Sequence, residues 1–86
     1  LDAGAELAIQ YLSRSKNKQA SQIATDILGK NPNHPGANYV LARLEWSIGK
    51  PDASASYIEK TLEQHPHDDR LLELLAAVRV DQKRFK

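Results

Sequence analysis

Two prolines, Pro32 and Pro66, close two stretches that run nearly in parallel, and the distance between them constrains what this chain can become. Ala20-Ser21 leads through Ile27-Leu28 to Asn31-Pro32. Ser54-Ala55 leads through Thr61-Leu62 to His65-Pro66, 34 residues further on. The same offset carries Leu7-Ala8 onto Leu41-Ala42 and then onto Leu75-Ala76. A fixed period of this length marks an array of small units, each of which buries its apolar face only by stacking on a neighbour.

The local patterns within each period are helical. From Asp2 to Arg14, Leu1, Ala5, Ala8, Ile9 and Leu12 make one apolar stripe, with Asp2 as the expected N-cap. Ser13 to Asn17 read as a polar turn. Lys18 to Lys30 spaces Ala20, Ile23, Ala24, Ile27 and Leu28 by threes and fours. Glycine, asparagine and proline between Gly29 and Gly36 end that helix, and Pro35 suits the first turn of the next. The third helix is expected from Pro35 to Ile48. One face carries Ala37, Val40, Leu41, Leu44 and Ile48, another Tyr39, Arg43 and Trp46. Gly49 should stop it through a positive φ. Pro51 then opens a fourth helix, running to about Gln64 with Ala55, Ile58 and Leu62 inward. After His65-Pro66-His67, Asp68 or Asp69 caps a fifth, running to about Gln82. No segment alternates as a strand, and the short connections make successive helices antiparallel.

A chain of 86 residues is one small domain that buries roughly 60–65% of its unfolded surface. A net charge of +1 gives no reason to expect nucleic acid or an anionic membrane as partner. The longest apolar run, Leu74 to Val78, is far too short to span a bilayer. With no cysteine there is neither a disulfide framework nor a thiolate metal site. His65-Pro66-His67-Asp68-Asp69 has metal-ligating residue types, but a second cluster at ligand spacing is missing, so it reads as an exposed turn with a helix cap. His34, in the equivalent loop, reads the same way. No nucleophile elbow, phosphate loop or paired carboxylate is present, and no catalytic residue, cofactor or metal site is expected.

Helix-turn-helix units of this period resemble the tetratricopeptide repeat, whose pattern is Trp-x2-Leu-Gly-x2-Tyr, then Ala-x3-Phe, then Pro. The first unit matches it at Leu7, Tyr11, Ala20 and Pro32, with Ala8 in the glycine place. Gly4 stands for the tryptophan and Ala24 for the phenylalanine. The second keeps Leu41, Ala42 and Pro66, with Ser54 for alanine, Ile58 for the aromatic, Asn38 for tryptophan and Glu45 for tyrosine. The third has Leu75-Ala76, with Leu72 and Arg79 in the tryptophan and tyrosine places. The pattern works through close packing, because small residues at Ala8 and Ala20, or at Ala42 and Ser54, let paired helices approach.

The resemblance implies an all-α fold of antiparallel helix-turn-helix repeats forming a short right-handed α-solenoid of about five helices. Repeat one spans 1–34, repeat two 35–68, and a partial repeat three 69–86. It further implies a non-catalytic protein–protein interaction scaffold that takes a peptide or helix in a concave groove lined by the first helix of each unit. The groove positions here are Asp2, Ala5, Ile9, Leu12, Tyr39, Arg43, Trp46, Arg70, Glu73, Ala77 and Val80. Tyr39, Arg43, Trp46, Arg70 and Glu73 are the candidate binding residues, since Trp, Tyr and Arg dominate binding hot spots. A carboxylate clamp like that of the chaperone-binding branch is not expected, because its places hold Ala5, Ile9, Val40, Arg70 and Leu74. The alternative is an internal tract of a longer solenoid that stacks or self-associates. Leu71, Leu72, Leu74, Leu75, Ala76, Ala77, Val78 and Val80 wrap around the fifth helix, which a terminal cap would keep polar. A chain that starts without methionine and ends at Arg84-Phe85-Lys86 reads as part of something longer, with another helix expected from Phe85.

Overall fold

The computed structural model describes residues 3–84, so the expectations for Leu1, Asp2, Phe85 and Lys86 lie outside the described residues. Five helices follow one another: α1 (Ala3–Ser13), α2 (Asn17–Lys30), α3 (Pro35–Ser47), α4 (Pro51–Gln64) and α5 (Asp69–Arg84). Each packs on the next. In addition α1 touches α3 and α3 touches α5, whereas the backbones of α2 and α4 stay farther apart. The odd-numbered helices therefore form one layer and the even-numbered ones the other, in a slab of 37 × 28 × 19 Å. This all-α stack of hairpins is the architecture that the 34-residue offset requires.

The turns repeat as faithfully as the helices. Lys16 N–H donates to the Tyr11 carbonyl (2.8 Å) and Lys50 N–H to the Glu45 carbonyl (2.9 Å). Each closes a five-residue reach across a residue of positive φ, Ser15 at 63° and Gly49 at 81°. Both are Schellman closures, which satisfy the last carbonyls of α1 and α3. The two longer connections are capped from equivalent positions. His34 Nδ1 accepts from Ala37 N–H (3.2 Å), and Asp68 Oδ1 accepts from Leu71 N–H (3.0 Å). Asp68, rather than Asp69, is thus the cap of α5. His34, expected in an exposed turn with a helix cap, does cap the start of α3, but it is half-buried rather than exposed. Its ring nitrogen does what a carboxylate or hydroxyl oxygen does elsewhere. Pro35 and Pro51 occupy first-turn positions, where a missing N–H costs nothing.

Packing is concentrated in two clusters with α3 between them. Ala8, Ala20, Ala24, Ala37 and Val40 fill the first; Ala42, Ala55, Ile58, Leu71, Leu74 and Val78 fill the second. Ala37 and Val40 face one side of α3 and Ala42 the other, so this helix buries two faces. The small side chains draw the helices together: Ala8, Ala20, Ala42 and Ser54 are all fully buried. A Cβ at Gly36 would lie 2.8 Å from that of Ala5, which fixes how closely α3 approaches α1. Asn38, in the place where the repeat pattern has tryptophan, is buried with its amide donating to the carbonyls of Pro32 (3.1 Å) and His34 (3.0 Å). It ties the α2–α3 connection to the body of α3 and leaves no unpaired donor. On α5, Leu71, Leu74 and Val78 are buried, but Leu72 and Val80 stay 42% and 56% exposed.

Candidate interaction surface

Steps of three and four along α3 bring Tyr39, Arg43 and Trp46 to one side of it. The contact of α3 with α5 then brings Arg70, in the first turn of α5, against Tyr39. The Arg70 guanidinium lies 5.5 Å from the ring centre and that of Arg43 lies 5.9 Å. Arg43 also donates to the Tyr39 hydroxyl (3.0 Å). Cation–π attraction is worth about 0.5–1 kcal/mol at such exposed sites. Its larger consequence is orientation, since one half-buried phenol meets two guanidinium groups, one from its own helix and one from α5.

Arg70 reaches a third helix as well, meeting Glu6 of α1 at 3.5 Å. Both side chains are about half exposed, so the pair adds little stability. It does join α1, α3 and α5 across one edge of the odd-numbered layer. There a cleft of about 160 Å³ is lined by Ala5, Glu6, His34, Pro35, Gly36, Tyr39, Asp68 and Arg70. Its wall mixes two carboxylates, a guanidinium, an imidazole and a phenol, which suits hydrogen bonding to polar peptide groups better than enclosure of an apolar ligand.

The other candidate residues lie differently. Trp46 is half-buried against the second core cluster, and its indole N–H donates to the Asp81 carboxylate of α5. Much of its surface is therefore spent within the fold. Glu73 is exposed on α5, one turn beyond Arg70. Ala5 is buried against its neighbours, while Ile9, Leu12 and Ala77 are half-buried. Glu6, His34 and Asp68 line the cleft although sequence reasoning did not select them. Glu6 offered no sequence signal, because its role arises only when Arg70 is brought beside it. His34 and Asp68 were marked by their equivalent places one period apart.

A larger hollow, about 470 Å³, lies on the α2–α4 side, lined by residues that include Leu28, Pro32, Tyr57 and Lys60. Among the described residues no three His, Cys, Asp or Glu side chains converge as metal ligands. Among them, too, no helix is long and apolar enough to cross a membrane.

No curated protein and no solved structure matches the chain. A family model described as tetratricopeptide repeat matches residues 11–78, from the end of α1 to the middle of α5. That family is typically non-catalytic and generally mediates protein–protein interaction. With its 34-residue offset, its stacked hairpins and this match over most of its length, the chain belongs to the tetratricopeptide repeat family.

Proposed function

We propose that the chain is a non-catalytic protein-interaction module that holds a peptide or helix along the odd-numbered layer. The observation that carries this reading is Tyr39 with Arg43 and Arg70 about it, two exposed cations from α3 and α5 on one aromatic platform. Guanidinium groups held this way can each meet a carboxylate in bidentate fashion, with less ordering entropy lost on binding. The favoured ligand is accordingly a peptide or helix with acidic residues, its backbone lying over the cleft beside Glu6 and Asp68. In this reading the chain comprises repeats at 1–34 and 35–68 and the first helix of a third at 69–86, and the groove is shared among them.

An array of acidic, basic and neutral twelve-residue peptides tests it. Arg43→Glu and Arg70→Glu should each weaken the acidic binders at least tenfold while leaving the melting temperature within a few degrees. Equal binding by the parent and both variants removes this surface from the account. Trp46 makes a poorer probe, because truncating it also removes its bond to Asp81.

A second reading, self-association through α5, is favoured by one comparison. Ala8 and Ala42 are fully buried beneath α2 and α4, whereas Ala76, at the equivalent place on α5, is exposed.

A further inference from the structure

The face that α5 presents has a symmetry that neither α1 nor α3 shares. Ala76 is at its centre. Leu72 and Val80 lie four residues before and after it, Glu73 and Arg79 three, and Asp69 and Lys83 seven. All seven are exposed. At about 100° per residue they fall within about 60° of Ala76, on the side opposite the buried Leu71, Leu74 and Val78. A two-fold axis through Ala76 would oppose Leu72 to Val80, Glu73 to Arg79 and Asp69 to Lys83. Each acidic residue then meets a basic one and each apolar residue an apolar one.

We propose that this face pairs with the same face of a second copy, the two α5 helices lying antiparallel with Ala76 opposite Ala76. The proposal rests on the self-association reading and gives it a geometry. Three observations converge on it. First, α2 covers Ala8 and α4 covers Ala42, and those helices run antiparallel to α1 and α3. An antiparallel α5 from a second copy takes the corresponding place over Ala76. Second, the methyl group of Ala76 allows close approach at the centre, as the buried alanines do within each hairpin. Third, charge selects the orientation: a parallel pairing would set Glu73 against Glu73 and Arg79 against Arg79, whereas the antiparallel one opposes unlike charges twice over. Arg79 already contacts Glu59 and Gln82 within its own chain, and its guanidinium has donors enough for a further carboxylate. Isologous contacts of this kind are the commonest route to closed dimers. A patch one helix long stands at the small end of specific interfaces, below about 1,200 Å², so the dimer is a weak one that forms at high protein concentration.

The chain contains no cysteine, so a single introduced thiol reports one position without interference. Sedimentation of the 86-residue chain should show a monomer–dimer equilibrium that shifts toward monomer in Ala76→Arg and in Glu73→Lys. Circular dichroism should show that both exposed substitutions leave the fold intact. Under mild oxidation, Ala76→Cys should cross-link to itself. Leu72→Cys alone should not, because its two copies would lie roughly 12 Å apart along the pair; an equimolar mixture of Leu72→Cys and Val80→Cys should give the mixed disulfide. A chain that stays monomeric up to millimolar concentration overturns both the pairing and the self-association reading. A dimer in which Leu72→Cys cross-links to itself, or in which Ala76→Arg has no effect, overturns the pairing alone.

Discussion

The indole N–H of Trp46 on α3 donates to the carboxylate of Asp81, 35 residues away near the end of α5. It is a polar tie between two helices that also meet through the apolar Ala42, Leu71, Leu74 and Val78 and, at the other end of α5, through Arg70 on the Tyr39 ring. A hydrogen bond to a charged group is worth about 1.5–3 kcal/mol when shielded and less with both partners half-exposed. Asp81→Ala and Trp46→Phe should therefore each cost about 1 kcal/mol in urea unfolding, and together clearly less than the sum of the two. Trp46→Ala, which also empties packing volume, should cost more, about 2 kcal/mol or above. Additive losses in the double variant would show that the bond is not maintained in solution.

Ser15 and Gly49 hold the same left-handed position in the two Schellman turns, with φ of 63° and 81°. A side chain there costs about 1–2 kcal/mol, relieved by glycine and offset in part by glycine's freedom in the unfolded chain. Ser15→Gly should raise stability by about 0.5–1 kcal/mol, and Gly49→Ala should lower it by about 1 kcal/mol. Thermal melts of the pair give opposite signs if the turns are equivalent, and equal signs if they are not.

Ser54 is fully buried, and its hydroxyl has no hydrogen-bond partner. The equivalent residue one period earlier is Ala20, buried just as completely. An unpaired buried hydroxyl costs roughly 1–3 kcal/mol. Ser54→Ala should stabilise the chain by about 1 kcal/mol, seen as a higher urea midpoint at unchanged slope. A loss of stability would mean that the hydroxyl has a partner in solution.

The caps at His34 and Asp68 act at equivalent places on α3 and α5. Replacing a capping side chain with alanine typically costs about 1 kcal/mol. His34→Ala and Asp68→Ala should each lose about that much, and His34→Asp should recover it or better, since a carboxylate also suits the positive end of the helix. Amide exchange in the first turns of α3 and α5 measures the loss where it occurs. Equal protection in parent and alanine variants would remove the capping role.

The fold was legible because its cause is periodic. Pro32 and Pro66, the three Leu-Ala pairs and the positions of Pro35, Gly49 and Pro51 each state a local backbone requirement, and all agree on one register. What escaped was set by contacts between helices. His34 was marked as a turn residue at a helix cap, but that its own ring nitrogen makes the cap shows only where Nδ1 lies beside the Ala37 amide. Trp46 has an aromatic edge suited to binding, but Asp81 takes its N–H, a pairing that no spacing of three or four announces. Glu6 and Arg70 are 64 residues apart and meet only because α1, α3 and α5 share a layer. Helical periodicity tells which face a residue occupies, but not which neighbour it finds there.

We propose that the layer carrying Tyr39, Arg43 and Arg70 is where this chain holds its partner. The most direct test is a titration of the isotope-labelled chain with the tightest acidic peptide from the array, followed by amide and side-chain NMR. Shift changes should gather on α3 and α5 around Tyr39, Arg43, Arg70 and Glu73, include the guanidinium resonances, and vanish in Arg43→Glu. Changes centred instead on Leu28, Tyr57 and Lys60, at the larger hollow on the α2–α4 side, would contradict the account.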